Sequence, residues 1–348
     1  MNFKKLFYYN QFEQSMLTMI LLMTLISSTM VTINSTSWIS AWMGMEINLM
    51  SFIPLMMMKN KLMKSANLMM TYFMVQASSS CILMFMVMMF KMETMFLKLN
   101  MTTILIQLSL LMKMGAAPFH WWTPKIIKSM NWKNCFILMT WQKLAPLMMI
   151  AMTMTSWLIY YSIILSTIIG AVMGLNQTSL KLIIAYSSIN HISWMMMALM
   201  MSLNFFMFYF IIYSVTILIM SLMLNNMNIN YLNQLFKNNN NNMFNKMSVM
   251  SMMLSMGGIP PFIGFLPKLM ILMLMMKNKL ILESMIFIFF SLITLTYYLN
   301  PLISTLMNSK MSSKWILFKS NFMKNLFYIL MMNFIMMMMM ILPLSIMN

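Results

Sequence analysis

Stretches of about twenty apolar residues recur along the whole chain, and that recurrence constrains the fold more than any other feature. Twenty helical residues span roughly 30 Å, the thickness of a bilayer's hydrocarbon core. In lipid, every backbone N–H and C=O must find a partner inside the protein, which leaves helices and closed barrels. A barrel needs short alternating strands between turns, a pattern absent from this sequence. The expected fold is therefore an all-α polytopic membrane protein.

The segments run, in order, from about Ser15 to Ile33, Trp38 to Met58, Ala66 to Phe90, Leu99 to Lys128, Trp132 to Met152, Trp157 to Leu175, Ser179 to Met201, Phe205 to Leu224, Met247 to Met276, Ile281 to Leu306 and Leu326 to Leu344. That is about 11 transmembrane helices, with Asn238 to Asn242 read as a solvated loop. The basic residues test the count. All 22 are lysine. With alternating spans, the side carrying the N-terminus holds 15 of them, among them Lys4, Lys59 to Lys64, Lys125, Lys128, Lys181 and Lys310 to Lys324. The other side holds 4, Lys91, Lys98, Lys277 and Lys279, and the remaining 3 are intramembrane. So strong a bias marks the N-terminal side as the inner one, a matrix, with Asn348 opposite. Adding or dropping one span would scramble it.

The +18 net charge is thus a loop property and not a nucleic-acid footprint. Arginine and aspartate do not occur, and methionine stands at 62. Lys, Asn, Ile, Met, Phe and Tyr are what AT-rich codons encode, and an organelle code with a second Met codon explains the methionines without a metal-binding role. Cys81 and Cys135 fall in apolar segments and read as small hydrophobes. No cleavable signal is visible at the N-terminus. Two histidines, two cysteines and four acids so scattered make no metal site, and neither a glycine-rich nucleotide loop nor a nucleophile–base pair is present.

The fourth segment carries the chemistry. Lys113 lies about 14 residues, roughly 21 Å of helix, from its start, too deep for easy snorkelling. A lysine there costs about 2.5–3.5 kcal/mol on insertion scales. Gly115 and Pro118 follow at once; proline lacks an N–H and clashes with the preceding turn. An ammonium beside opened backbone is the signature of an ion or proton path, although a plain kink would leave the same marks. The stretch Met114-Gly115-Ala116-Ala117-Pro118-Phe119-His120 through Pro124-Lys125 resembles Met256-Gly257-Gly258-Ile259-Pro260-Pro261-Phe262 through Pro267-Lys268. These lie five segments apart and so cross the membrane in opposite senses, the arrangement of an inverted repeat with two broken helices. The chain reads as one inverted-repeat membrane domain, 1–348, with repeat one at about 15–152, repeat two at about 157–306 and an extra helix at about 326–344.

Four charges fall near the middle of spans: Glu46, Lys113, Lys143 and Lys268. Desolvation disfavours the charged form of either kind of group, so gaining or losing a proton becomes cheap, as a relay requires. A structural ion pair between Glu46 and Lys113 is the plainer alternative, but it leaves Lys143 and Lys268 without an intramembrane acid. Ser187, Asn190, His191 and Trp194 fall at helical spacing on one face, able to carry protons or to glue helices. His120, at the break, reads as a cap for freed carbonyls. The expected relay is Glu46, Lys113, Lys143, His191 and Lys268, with Glu46 holding Lys113 protonated and a charge on Lys143 disfavouring one on Lys268.

Several motifs together resemble the family of mitochondrial NADH dehydrogenase subunit 2, with the AT bias of its insect versions. They are Ser40-Ala41-Trp42-Met43-Gly44-Met45-Glu46-Ile47-Asn48 through Pro54-Leu55, Lys113 to Trp122, Thr140-Trp141-Gln142-Lys143-Leu144-Ala145-Pro146-Leu147, Gly174 to Leu180, Ala185-Tyr186-Ser187-Ser188-Ile189-Asn190-His191 and Gly257 to Lys268. The match covers most spans from Trp38 to Lys268 and fades past Lys279. Where the family commonly has arginine after Asn-Gln-Thr-Ser-Leu, a single lysine, Lys181, follows Leu180 here. The resemblance implies an antiporter-like, proton-translocating subunit in the membrane arm of respiratory complex I, an NADH:ubiquinone reductase of the mitochondrial inner membrane. It also implies that Glu46, Lys113, Lys143 and Lys268 match the family's membrane carboxylate and lysines. Partners would be other membrane-arm subunits, including the antiporter-like subunit 4 and the small subunit 4L, with accessory subunits and phospholipids such as cardiolipin, and no nucleic acid. NAD, FMN, iron–sulfur clusters and ubiquinone would belong to the whole complex, with no redox centre or cofactor in this chain. A stand-alone cation/proton antiporter would want several acids at midplane, and a purely structural subunit would want its charges paired.

Overall fold

A computed structural model describes residues 3–57, 62–91, 99–153, 157–237 and 243–308. The Asn238–Asn242 loop, the lysines expected at 59–61 and 310–324, the Leu326–Leu344 segment and Asn348 lie outside the described residues. The helices are α1 (Phe3–Ile33), α2 (Trp38–Met57), α3 (Leu62–Lys91), α4 (Leu99–Met114), α5 (Trp122–Ser129), α6 (Trp132–Met139), α7 (Trp141–Ala151), α8 (Trp157–Val172), α9 (Leu180–Met201), α10 (Leu203–Met227), α11 (Leu232–Lys237), α12 (Met243–Gly257), α13 (Phe265–Lys277) and α14 (Ile281–Asn308).

Six of these are long and apolar enough to cross a membrane: α1, α2, α3, α9, α10 and α14. They realise six of the expected segments. Segment six appears as the shorter α8, and segments four, five and nine each appear as two shorter helices. The interruption of segment five departs from the continuous span read in the sequence. It falls at Thr140, whose φ of −115° and ψ of −72° separate α6 from α7. Pro146, inside α7, removes one helical donor, but the break itself lies six residues earlier.

The chain divides into two compact units, Met1–Tyr161 and Ser162–Asn348. In the first, α1 packs on α2, α2 on α3, α3 on α4 and α5, and α7 on α1 and α4. In the second, α10 packs on α9, α12 and α13, while α14 packs on α11, α12 and α13. A short antiparallel bridge, Ser179 to Tyr231, ties the start of α9 to the segment after α10. Buried hydroxyls are common inside the apolar helices, and they satisfy themselves by donating to carbonyls three residues back, as Ser28, Thr32, Ser79, Ser109, Ser166 and Ser255 do. Helix α10 starts on Ser202, whose Oγ accepts from the Phe205 N–H at 3.4 Å, and ends on Asn228 in the left-handed region.

Candidate functional site

The two broken helices end in the same local structure. At the end of α4, Gly115 has φ +71°, its N–H reaches the Met112 carbonyl at 3.2 Å, and the Ala116 N–H reaches the Leu111 carbonyl at 3.2 Å. At the end of α12, Gly258 has φ +81°, its N–H reaches Ser255 at 3.1 Å, and the Ile259 N–H reaches Leu254 at 3.5 Å. Both are Schellman caps, which need a left-handed residue that glycine adopts without penalty. The cap corrects the repeat read in the sequence by one position. Gly115 corresponds to Gly258 and not to Gly257, and the shift brings Pro118 onto Pro261, in the register that already set Lys125 against Lys268.

A helix that stops inside a membrane leaves its last carbonyls orphaned. The two units satisfy them differently. In the first, Gln76 Nε2 donates to the Lys113 carbonyl at 3.1 Å, and Trp122 Nε1 donates to the Met112 carbonyl at 3.2 Å. In the second, the Lys268 ammonium does this work, donating to Met256 at 3.2 Å and Gly257 at 2.8 Å. Its aliphatic stem lies against Gly258, where an added Cβ would meet Lys268 Cδ at 3.0 Å. The ammonium also stands 5.9 Å from the centre of the Trp194 ring.

In the first unit, Lys113 in the last turn of α4 faces Glu46 on α2, with Nζ to Oε1 at 3.7 Å. That is an ion pair longer than a charge-assisted hydrogen bond, which spans about 2.7–2.9 Å. Beside Lys113 lies a small cavity of about 20 Å³, lined by the polar Asn48, Tyr72, Gln76 and Gln142 and the apolar Met45, Leu49, Ala145 and Pro146. That volume matches a single water site. Gln142 Nε2 donates to Asn48 Oδ1 at 2.8 Å, and the Tyr72 hydroxyl donates to Gln142 Oε1 at 3.4 Å. Lys113 and Gln142 line the same cavity, and Gln142 immediately precedes Lys143 in the chain. Lys143 itself, 2% exposed, sits in the first turn of α7, just past the Thr140 break. Lys268 likewise lies in the first turn of its helix, α13, with its ammonium reaching back to the carbonyls that end α12.

His191 lies in α9, buried on all sides with its helix neighbours Ser187, Asn190 and Trp194. The face expected from its spacing is therefore not set apart by exposure. Its Nδ1 lies 2.7 Å from the Tyr209 hydroxyl, and its ring stands 5.0 Å from that of Tyr213. Trp194, one turn further on, brings α9 to Lys268. His120 places Nδ1 3.2 Å from the Pro118 carbonyl, so it caps the broken backbone. The structure thus joins Glu46 to Lys113 and gathers His191 and Lys268 along α9. The polar companions Asn48, Tyr72, Gln76, Gln142, Tyr209 and Tyr213 were not among the residues singled out in the sequence.

Broken apolar helices with lysines at their breaks define an antiporter-like membrane protein. Residues 35–294 match the NADH:quinone oxidoreductase/Mrp antiporter transmembrane family. The chain is 42% identical, over 307 residues, to NADH-ubiquinone oxidoreductase chain 2 of Anopheles gambiae, covering 87% of this chain and 89% of the relative. It is 43% identical, over 314 residues, to the protein of the same name in Aedes aegypti, covering 89% and 92%. Its fold is similar to that of a chain in respiratory complex I from Thermus thermophilus, with a TM-score of 0.79 at 18% identity, covering 94% of this chain and 78% of that one. The chain belongs to the NADH:quinone oxidoreductase/Mrp antiporter family and, within it, to the group of NADH-ubiquinone oxidoreductase chain 2.

Proposed function

We propose that the chain is a core membrane-arm subunit of respiratory complex I that moves protons across the membrane while NADH-to-ubiquinone electron transfer takes place in partner subunits. The observation that carries this is the set of charges inside the helices among the described residues: three buried lysines, Lys113, Lys143 and Lys268, each at a helix break, and one partly buried carboxylate, Glu46, set 3.7 Å from Lys113. A purely structural lock would need one acid per lysine; a relay needs groups whose charge can change. The proposal assigns relay roles to Glu46, Lys113 and Lys143 in the first unit and to His191 and Lys268 in the second. It places the chain in the mitochondrial inner membrane, N-terminus in the matrix and C-terminus in the intermembrane space, on the strength of the lysine asymmetry. It assigns no redox centre or cofactor to this chain; NAD, FMN, iron–sulfur clusters and ubiquinone act elsewhere in the complex. Subunit 4, subunit 4L, accessory subunits and cardiolipin are the proposed neighbours. The test is Lys113→Met in the assembled complex reconstituted in vesicles. Fewer protons per electron pair supports the proposal; an unchanged ratio with the complex intact overturns it.

A further inference from the structure

Two buried polar atoms on α2 have no hydrogen-bond partner among the described residues: the indole nitrogen of Trp42 and Oε1 of Glu46. Unpaired polar atoms inside a protein are rare and costly, so two of them on one helix ask for a reason. The indole N–H can only donate, and an ionised carboxylate can only accept. The two residues are four apart, which sets them one turn from each other on the same face of α2. Trp42 is half-buried as a residue, yet its N–H is shut off from solvent, so the donor points into the protein. Phenylalanine would fill the same place without leaving a buried donor unpaired.

The same Glu46 oxygen is the one that faces Lys113, at 3.7 Å. That is beyond hydrogen-bond length, so the ammonium attracts the carboxylate without fastening it. Side chains on a helix tilt toward its N-terminus, and each covers the turn before its own Cα. Glu46 therefore leans over the turn that carries Trp42, about 6 Å of helix rise nearer the start of α2. The carboxylate stands between two partners of different kinds. One is an ammonium across on α4; the other is an indole N–H one turn away on its own helix.

Resting on the proton-translocating reading above, we infer that Trp42 is a positioning residue for the relay: its indole N–H holds the Glu46 carboxylate away from Lys113 in one half of the cycle. In the structure Glu46 faces Lys113 and balances its charge. When Glu46 turns to Trp42, the unpaired donor and the unpaired acceptor become each other's partner. The turn gains a charge-assisted hydrogen bond as the ion pair is given up. Lys113 is left as a buried ammonium with no facing carboxylate, a costly state that ends when its proton moves on. The indole itself neither gains nor loses a proton.

The test is Trp42→Phe and Trp42→His in the assembled complex. The first removes the N–H and keeps an aromatic ring; the second keeps a ring N–H. Trp157→Phe, at an indole residue 92% exposed, is the control. The account expects Trp42→Phe to move fewer protons per electron pair, Trp42→His to recover part of the loss and the control to match the parent. An unchanged ratio in Trp42→Phe overturns the inference. So does an equal loss in both variants, which makes the indole's shape and not its N–H what matters. Where Trp42→Phe fails to assemble, Trp42→His decides: a ratio near the parent's supports the role, and a lost ratio or a second failure to assemble overturns it. Lys113→Met run alongside separates the two ideas. A lost ratio there with an unchanged one in Trp42→Phe removes the role of Trp42 and keeps the function; an unchanged ratio in all the variants removes both.

Discussion

The Lys268 ammonium donates to the carbonyl of Gly257, the last residue of α12, at 2.8 Å. One side chain thereby ties the two halves of a broken helix together and keeps a cation deep in an apolar unit. The C-terminal end of a helix is where a cation is favoured, because the unpaired carbonyls carry the negative end of the helix dipole. If Lys268 gives up its proton, the amine keeps two donors for those carbonyls, so the break survives the change in charge.

This geometry separates two neighbouring glycines. Gly258 has φ +81°, and an added Cβ would press on the Lys268 side chain; at Gly257 the nearest neighbour of an added Cβ is Tyr298 at an ordinary 3.4 Å. Gly258→Ala is expected to destabilise by at least the left-handed cost of about 1–2 kcal/mol, and Gly257→Ala by much less. Thermal melting of the assembled complex reads the difference, and equal losses for the two would remove the cap from the account.

Gln76 is the counterpart in the first unit. Its amide is the donor to the buried Lys113 carbonyl. Gln76→Leu leaves that carbonyl unsatisfied, an expected cost of about 1–3 kcal/mol. The same melting measurement checks it, and a variant as stable as the parent would mean that the carbonyl finds another donor.

How much of this was legible in advance depends on what each feature asks of the chain. The breaks after α4 and α12 were legible because proline and glycine leave few alternatives within a helix. Which glycine of the Gly257–Gly258 pair turns left-handed was not, since both tolerate the conformation and only the cap distinguishes them. The break at Thr140 was missed because Thr, Trp and Gln carry no comparable penalty. Glu46 and Lys113 were readable as a pair because isolated charges in lipid are so costly. Tyr72, Gln142, Tyr209 and Tyr213 were not: tyrosine and glutamine are unremarkable in a helix, and only the packing of α2, α3 and α7, or of α9 and α10, brings their polar ends together.

The pairing of Glu46 with Lys113 has its own consequence. Lys113 is buried and Glu46 is 24% exposed. Removing the carboxylate therefore leaves a buried ammonium uncompensated, at a cost below the about 3–5 kcal/mol of a fully buried pair. Removing the lysine leaves a carboxylate that still reaches solvent. Glu46→Gln is therefore expected to assemble poorly, and adding Lys113→Met to it should recover assembly without recovering proton movement. The measurement is the yield of assembled complex from membranes. Additive losses in the double variant would show that the two groups do not interact.

Lys143 offers the most direct test of the central claim. It is buried in the first turn of α7, one residue beyond the Gln142 amide that reaches Asn48. Burial makes a permanent charge on such a lysine costly and a transient one attainable. The measurement is protons translocated per electron pair by the assembled complex carrying Lys143→Met, beside the parent. The account predicts a lower ratio with the complex intact; an unchanged ratio in an intact complex would make Lys143 a structural residue and contradict the relay in this subunit.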